Sequence, residues 1–226
     1  LLYSYFFFLF PLLSFSQSSQ PDGKLYIALS TNDSTSEIFY LDLKDNSTST
    51  IHKNIKVFDD FVVLGDSLFY GSYAKRHLYI YDLVKEELVD SIPVQKPSQL
   101  TRWNDQLIYS DGLYTDKVVI FYDLKNHREI SYLSPKDLKL SSHTNVRPQD
   151  MEVFKTKLLI LLTDTLLVYD LEKSVFEDTI NIENPSRLNQ YILLFDGRAI
   201  YVAASSFAPF RRTKFSIVDL SRSESE

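Results

Sequence analysis

Tyr79-Ile80-Tyr81-Asp82-Leu83 is one copy of the phrase whose repetition decides the fold. A run of aromatic and branched residues ends in Asp-Leu, and four further copies occupy residues 39–43, 120–124, 167–171 and 216–220. Their aspartates stand at 42, 82, 123, 170 and 219, so successive copies are 40, 41, 47 and 49 residues apart. Aromatic and β-branched residues bounded by turn formers read as strands. A strand phrase returning at this period is the signature of a four-stranded propeller blade. The expected fold is therefore an all-β propeller of four-stranded antiparallel blades, with about five repeats present.

Outward from each phrase the unit continues in both directions. A second strand precedes it and opens after a turn pair: Asp22-Gly23, Gly65-Asp66, Asn104-Asp105, Lys155-Thr156 or Asp196-Gly197. These pairs set blade periods starting near residues 22, 65, 104, 155 and 196. All but Lys155-Thr156 use residues that tolerate positive φ in a tight hairpin. After Asp-Leu comes a polar turn and an outer strand, such as residues 88–92 or 176–180. The recurring aspartate, at a strand end, is expected to bond the turn backbone through its side chain. A proline connection then crosses to the next blade, at Pro97, Pro148 and Pro185. Proline suits this crossing because it fixes φ and needs no ladder partner.

The strands Leu25-Tyr26-Ile27-Ala28 and Ile200-Tyr201-Val202-Ala203-Ala204, the Asp-Leu phrases and the proline loops resemble the YVTN-type repeats of YncE-like β-propellers. The resemblance covers roughly residues 22–220 and rests on packing and turn motifs. It departs from that pattern in lacking Thr-Gly after the Asp-Leu strand and in a long insertion at residues 134–146. NHL-type propellers, which share the proline loop and strand rhythm, are a close alternative. Either resemblance implies a ring of blades and leaves the chemistry open.

Residues 1–16 read as a secretory signal peptide: an apolar run from Tyr5 to Phe15 is followed by small residues, and it is too short for the roughly 20 residues that span a bilayer. Residues 17–226 are then the propeller repeats, with no membrane span in the mature chain. No Met precedes Leu1, so a few residues are expected to be missing there, and the absence of cysteine fits an exported bacterial protein, secreted or periplasmic. The net charge of -6, with cations and anions interspersed, excludes the basic stripe that nucleic-acid binding requires.

The inner strands of a propeller line its axial channel, so their polar positions are the candidate ligand contacts. Counting from the loop prolines gives Gln99 and Thr101, Asp150 and Glu152, and Arg187 and Asn189, with a place in the loop as the alternative for Arg187; alignment on the turn pairs adds Asp60. Period-two alternation sends these to one solvated face and Leu100, Met151 and Leu188 into the packing. His143, in the insertion, and Arg147, directly after it, lie where a ligand would enter. Deleting residues 136–145 is accordingly expected to abolish binding and leave thermal unfolding nearly unchanged. Trp103 reads as core.

No Gly-rich phosphate loop, nucleophile elbow or paired-histidine zinc spacing is present. The reading is an exported binding or scaffold propeller that recognises a protein or a small molecule without a cofactor. The alternative is a propeller hydrolase or lactonase whose Asp60, Asp150 and Glu152 hold a channel Ca²⁺. Four inner strands are expected to follow the mature N-terminus, at about residues 57–64, 98–103, 149–154 and 187–195. Against five second strands, this reads as an incomplete ring.

Overall fold

The computed structural model describes residues 24–32, 35–55, 60–72, 74–111, 116–139, 148–181, 189–195, 198–204 and 213–218. Every regular element among them is a strand. Strands follow one another in chain order across each sheet, and sequential neighbours pair antiparallel. The chain divides into two units, residues 1–100 and 101–226, with the boundary inside β8 (Pro97–Trp103).

The first unit holds a sheet of β1 (Lys24–Asn32), β2 (Thr35–Asp42) and β3 (Thr48–Ile55), then one of β4 (Phe61–Leu64), β5 (Ser67–Ser72), β6 (His77–Asp82) and β7 (Glu87–Pro93). Its core is rich in tyrosine: Tyr26, Tyr70 and Tyr81 are buried with Ile38, Phe61, Val63 and Leu68. A buried phenol needs a partner for its hydroxyl. Tyr81 donates to the carbonyl of Ile51 at 3.3 Å, and Tyr70 stacks on Tyr79 with centroids 5.2 Å apart.

The second unit continues with β9 (Gln106–Asp111), β10 (Val119–Asp123) and β11 (Arg128–Leu133), which complete the sheet begun by β8. A fourth sheet is β12 (Asp150–Phe154), β13 (Lys157–Leu161), β14 (Thr165–Asp170) and β15 (Val175–Asn181). The fifth is β16 (Asn189–Phe195), β17 (Arg198–Ala204) and β18 (Thr213–Val218). The core here is mainly aliphatic, with Ile108, Val119, Met151, Leu158, Ile160 and Leu167 buried, and Trp103 packs against it as expected.

Strand chemistry follows position in the sheet. In the sheets of β8–β11 and β12–β15 the second and third strands are buried on both faces, which is why β13 reads Lys-Leu-Leu-Ile-Leu and β10 Val-Ile-Phe-Tyr without alternation. Fourth strands are exposed edges, and β7, β11 and β15 carry Glu87, Asp90, Arg128, Glu129, Glu177 and Asp178 there. Charge on an edge strand discourages pairing with another chain.

The turns use left-handed backbone at two fixed places. Between first and second strands Gly65, Asn104 and Lys155 have φ of 56°, 52° and 54°. Lys155 thus adopts the turn geometry that its side chain does not advertise. In the turn after each Asp-Leu strand the residue four after the aspartate is left-handed in each described copy: Asn46, Glu86, His127 and Ser174, at φ 60°, 56°, 50° and 57°. The aspartate holds that turn as expected. Oδ1 of Asp42 accepts from the Lys44 N–H, Asp82 from Val84 and Lys85, Asp123 from Lys125 and Asn126, and Asp170 from Glu172 and Lys173, at 2.7–3.0 Å. The fifth copy, at Asp219, lies outside the described residues. Each bond satisfies a turn amide locally, and the following leucine closes back on the other hairpin: Leu83, Leu124 and Leu171 donate to the carbonyls of Asp66, Asp105 and Thr156.

Candidate functional site

The candidate residues at the start of the inner strands come in equivalent places. Leu64 pairs with Ser67, Phe154 with Lys157 and Phe195 with Arg198, so Asp60, Asp150 and Tyr191 each stand four residues before that last pair. Gln99 holds the same offset before Gln106.

In the first unit Asp60 precedes β4. Its Oδ1 accepts the N–H of Phe61 at 2.8 Å, and its Oδ2 accepts the N–H of Leu100, in the first strand of the following sheet, at 2.8 Å. Its carbonyl accepts from Gly71 at 3.2 Å. Gly71 has no room for a side chain: a Cβ there would meet Pro97 Cβ at 2.9 Å and Cγ at 3.2 Å. A glycine in a strand interior marks such a close approach, and here it lets the crossing proline lie against β5.

The second unit repeats the carboxylate arrangement. Asp150 opens β12; Oδ1 accepts from Met151 at 2.9 Å, and Oδ2 accepts from Ile192, in the first strand of the next sheet, at 2.7 Å. Burial pushes the Asp150 carboxyl up to about 6, against the two backbone N–H bonds that favour its charge. Two aspartates therefore serve four equivalent backbone donors, of Phe61, Leu100, Met151 and Ile192. Each clasps the first strand of one sheet to that of the next.

The remaining candidates behave differently. Gln99 and Glu152 are half-buried. Thr101 is only 6% exposed and so is buried in β8, contrary to the solvated face expected of it, because both faces of that strand segment are covered. Leu100 and Met151 pack inward as alternation requires, and Leu188 lies outside the described residues. His143, Arg147 and Arg187 also lie outside them, as does the whole of residues 1–16. No three His, Cys, Asp or Glu side chains gather to hold a metal ion among the described residues.

The insertion after β11 begins as a built turn. The Ser134 N–H and hydroxyl both donate to Asp137 Oδ2, at 2.8 and 2.6 Å, and these bonds hold the Asp137 carboxyl below the usual carboxylate range. Leu138 donates its N–H to the Ser134 carbonyl and is 2% exposed, buried in the core with Leu133 and Met151. Removing residues 136–145 would therefore open a cavity, and the expectation that unfolding stays unchanged does not hold.

One charged cluster stands apart. The Lys157 ammonium meets Asp170 Oδ2 at 2.7 Å and also Glu177, and Lys173 meets Glu177 at 3.0 Å. The Lys157 bond is the main reason that Asp170 is held well below the ordinary carboxylate range. In the sheets of β4–β7 and β8–β11 the residue in the place of Lys157 is Ser67 or Gln106, opposite Asp82 and Asp123. The cluster's signal in the sequence is the lysine that opens the strand before the repeated aspartate, Lys157 opposite Asp170.

No known family profile matches the sequence, and no curated protein matches it. Solved structures do. Kuenenia stuttgartiensis hydrazine synthase superimposes with a TM-score of 0.66 at 11% identity, over 92% of this chain. The WD40 domain of Neurospora crassa Pan2 superimposes with a TM-score of 0.61 at 12% identity, over 93% of it. The fold is a β-propeller. The chain spans 62% of the length of each of these two structures. At such identities the likeness concerns the propeller scaffold alone. No described helix is long and apolar enough to cross a membrane.

Proposed function

We propose that this chain is an exported, non-enzymatic propeller of the YncE-like kind that recognises a protein or a small ligand at the channel end where its inner strands begin. The observation that supports recognition over catalysis is the engagement of Asp60 and Asp150: all four carboxylate oxygens accept backbone N–H bonds. Hydrolysis by the channel-cation route needs several oxygens free to converge on one ion. These carboxylates are instead part of the scaffold. Glu152, half-buried two residues after Asp150, and Gln99, half-buried next to Leu100, are each a side chain through which a ligand would be contacted, with His143, Arg147 and Arg187 as further contacts. The apolar run of residues 5–15 supports passage to the periplasm or medium.

Calcium titration of the metal-stripped full chain by calorimetry, with a lactone and ester screen alongside, tests this reading. No stoichiometric calcium uptake and no turnover are expected. Uptake at one ion per chain, with turnover that Glu152→Ala removes, would replace it with the hydrolase.

A further inference from the structure

The outer edge of the β4–β7 sheet differs from its counterparts at three matching places. Val84, two residues after the repeated aspartate, is 72% exposed, and Leu88 and Val89 on β7 are 50% and 46% exposed. Leu88 pairs with Tyr81, and Val89 is the extra residue of a bulge, since the register passes from Tyr81↔Leu88 to Ile80↔Asp90. The same bulge recurs on β11 and β15, so the register fixes the matching places. On the β8–β11 sheet they hold Lys125, Glu129 and Ile130, and on the β12–β15 sheet Glu172, Phe176 and Glu177. Phe176 packs against the core, and Glu177 is bound by Lys157 and Lys173. Of these three sheets, β4–β7 alone presents aliphatic side chains to solvent at every one of the three places.

Charge at this corner runs one way. Asp66, Glu86, Glu87 and Asp90 are exposed, and the one cation of residues 82–90, Lys85, pairs with Asp82 at 3.2 Å. Asp66 belongs to the same corner because its carbonyl accepts the N–H of Leu83. Residues 123–131 instead balance Asp123 and Glu129 with Lys125 and Arg128.

We propose that this corner is a docking surface for a protein segment that carries aliphatic side chains between lysines or arginines. It lies at the hairpin end of the sheet, where Leu64 pairs with Ser67, and so apart from the channel end marked by Asp60. Exposed aliphatic groups gain by leaving water, and cations on the partner match the acids beside them. An acidic edge, including that of a second copy, is repelled, and so is a phosphate-bearing surface. The bulge at Val89 interrupts the regular backbone ladder, so recognition rests on side chains.

Fluorescence anisotropy of a labelled peptide of alternating leucine and lysine, titrated with the full chain in low salt, tests this. Saturable binding is expected, weaker by about tenfold or more for Val84→Ser, Leu88→Ser and Glu87→Lys, and for a peptide of alternating leucine and glutamate. Added salt should weaken it further. Ile130→Ser and Glu172→Lys, at matching places of the other sheets, should leave it unchanged. Val84 lies in a turn, so its variant decides should Leu88→Ser fail to fold. Absence of binding, an equal loss in the Ile130 and Glu172 variants, or sedimentation showing that the free chain self-associates until Leu88 is replaced would each overturn the proposal.

Discussion

The two clasped joints share a carboxylate and differ in what lies beside it. In the first unit the residue opposite Asp60 is Gly71, whose missing side chain admits Pro97. In the second the residue opposite Asp150 is Leu161, fully buried. The same backbone chemistry thus tolerates two packing solutions: a proline pressed on bare backbone, or a leucine filling the place. Hydrogen bonding sets where the strands meet, and side-chain volume is then adjusted locally.

The sharpest way to break this comparison is to exchange the two solutions. Leu161→Gly leaves a cavity in an aliphatic region and adds backbone freedom, at a cost of about 3–5 kcal/mol. Gly71→Leu forces a side chain against Pro97 and costs about 3 kcal/mol. Urea unfolding of both variants measures this, and a near-neutral Gly71→Leu would mean that the proline contact yields freely. The next effect tests what the joints share. Asp60→Ala and Asp150→Ala each strand two backbone donors, and each is expected to lose about 2–4 kcal/mol by the same assay. A loss confined to one of them would show that the clasps are not equivalent.

The smallest effect separates the outer aspartates. Asp123→Asn keeps an oxygen for the turn amides, so its melting temperature should fall slightly and show little response to salt. Asp170→Asn removes the charge opposite Lys157 and Lys173, so it should fall further in low salt, with the gap narrowing as salt is added. Thermal melts at two salt concentrations decide this, and identical salt responses would mean that the cluster around Lys157 adds nothing.

What could be read from the sequence was whatever is settled within a few residues. Asp-Leu at strand ends announced its own turn bond, because donor and acceptor lie two or three positions apart. Runs of aromatic and branched residues bounded by turn formers announced the strands themselves. Asp60 and Asp150 were visible as polar residues at the start of inner strands, yet their second partners, Leu100 and Ile192, are 40 and 42 residues away, and no local pattern names them. The proline that Gly71 admits, Pro97, is likewise distant, 26 residues along the chain. Leu138 looked like one apolar residue in a polar insertion, and only packing makes it core. Lys155 departs from the turn-residue rule altogether, since the hairpin around it imposes a positive φ that lysine would not choose.

The clasps also bear on how such a chain can lengthen. Asp60 and Asp150 are 90 residues apart, two blades rather than one, with Gln99 and Tyr191 in the alternate places. Duplicating a single blade would set two clasping aspartates side by side, both reaching for the same amide, or leave one amide with neither. Copying a pair would preserve the alternation. In the described sheets the clasp therefore recurs at every second blade, although the sequence rhymes at every one.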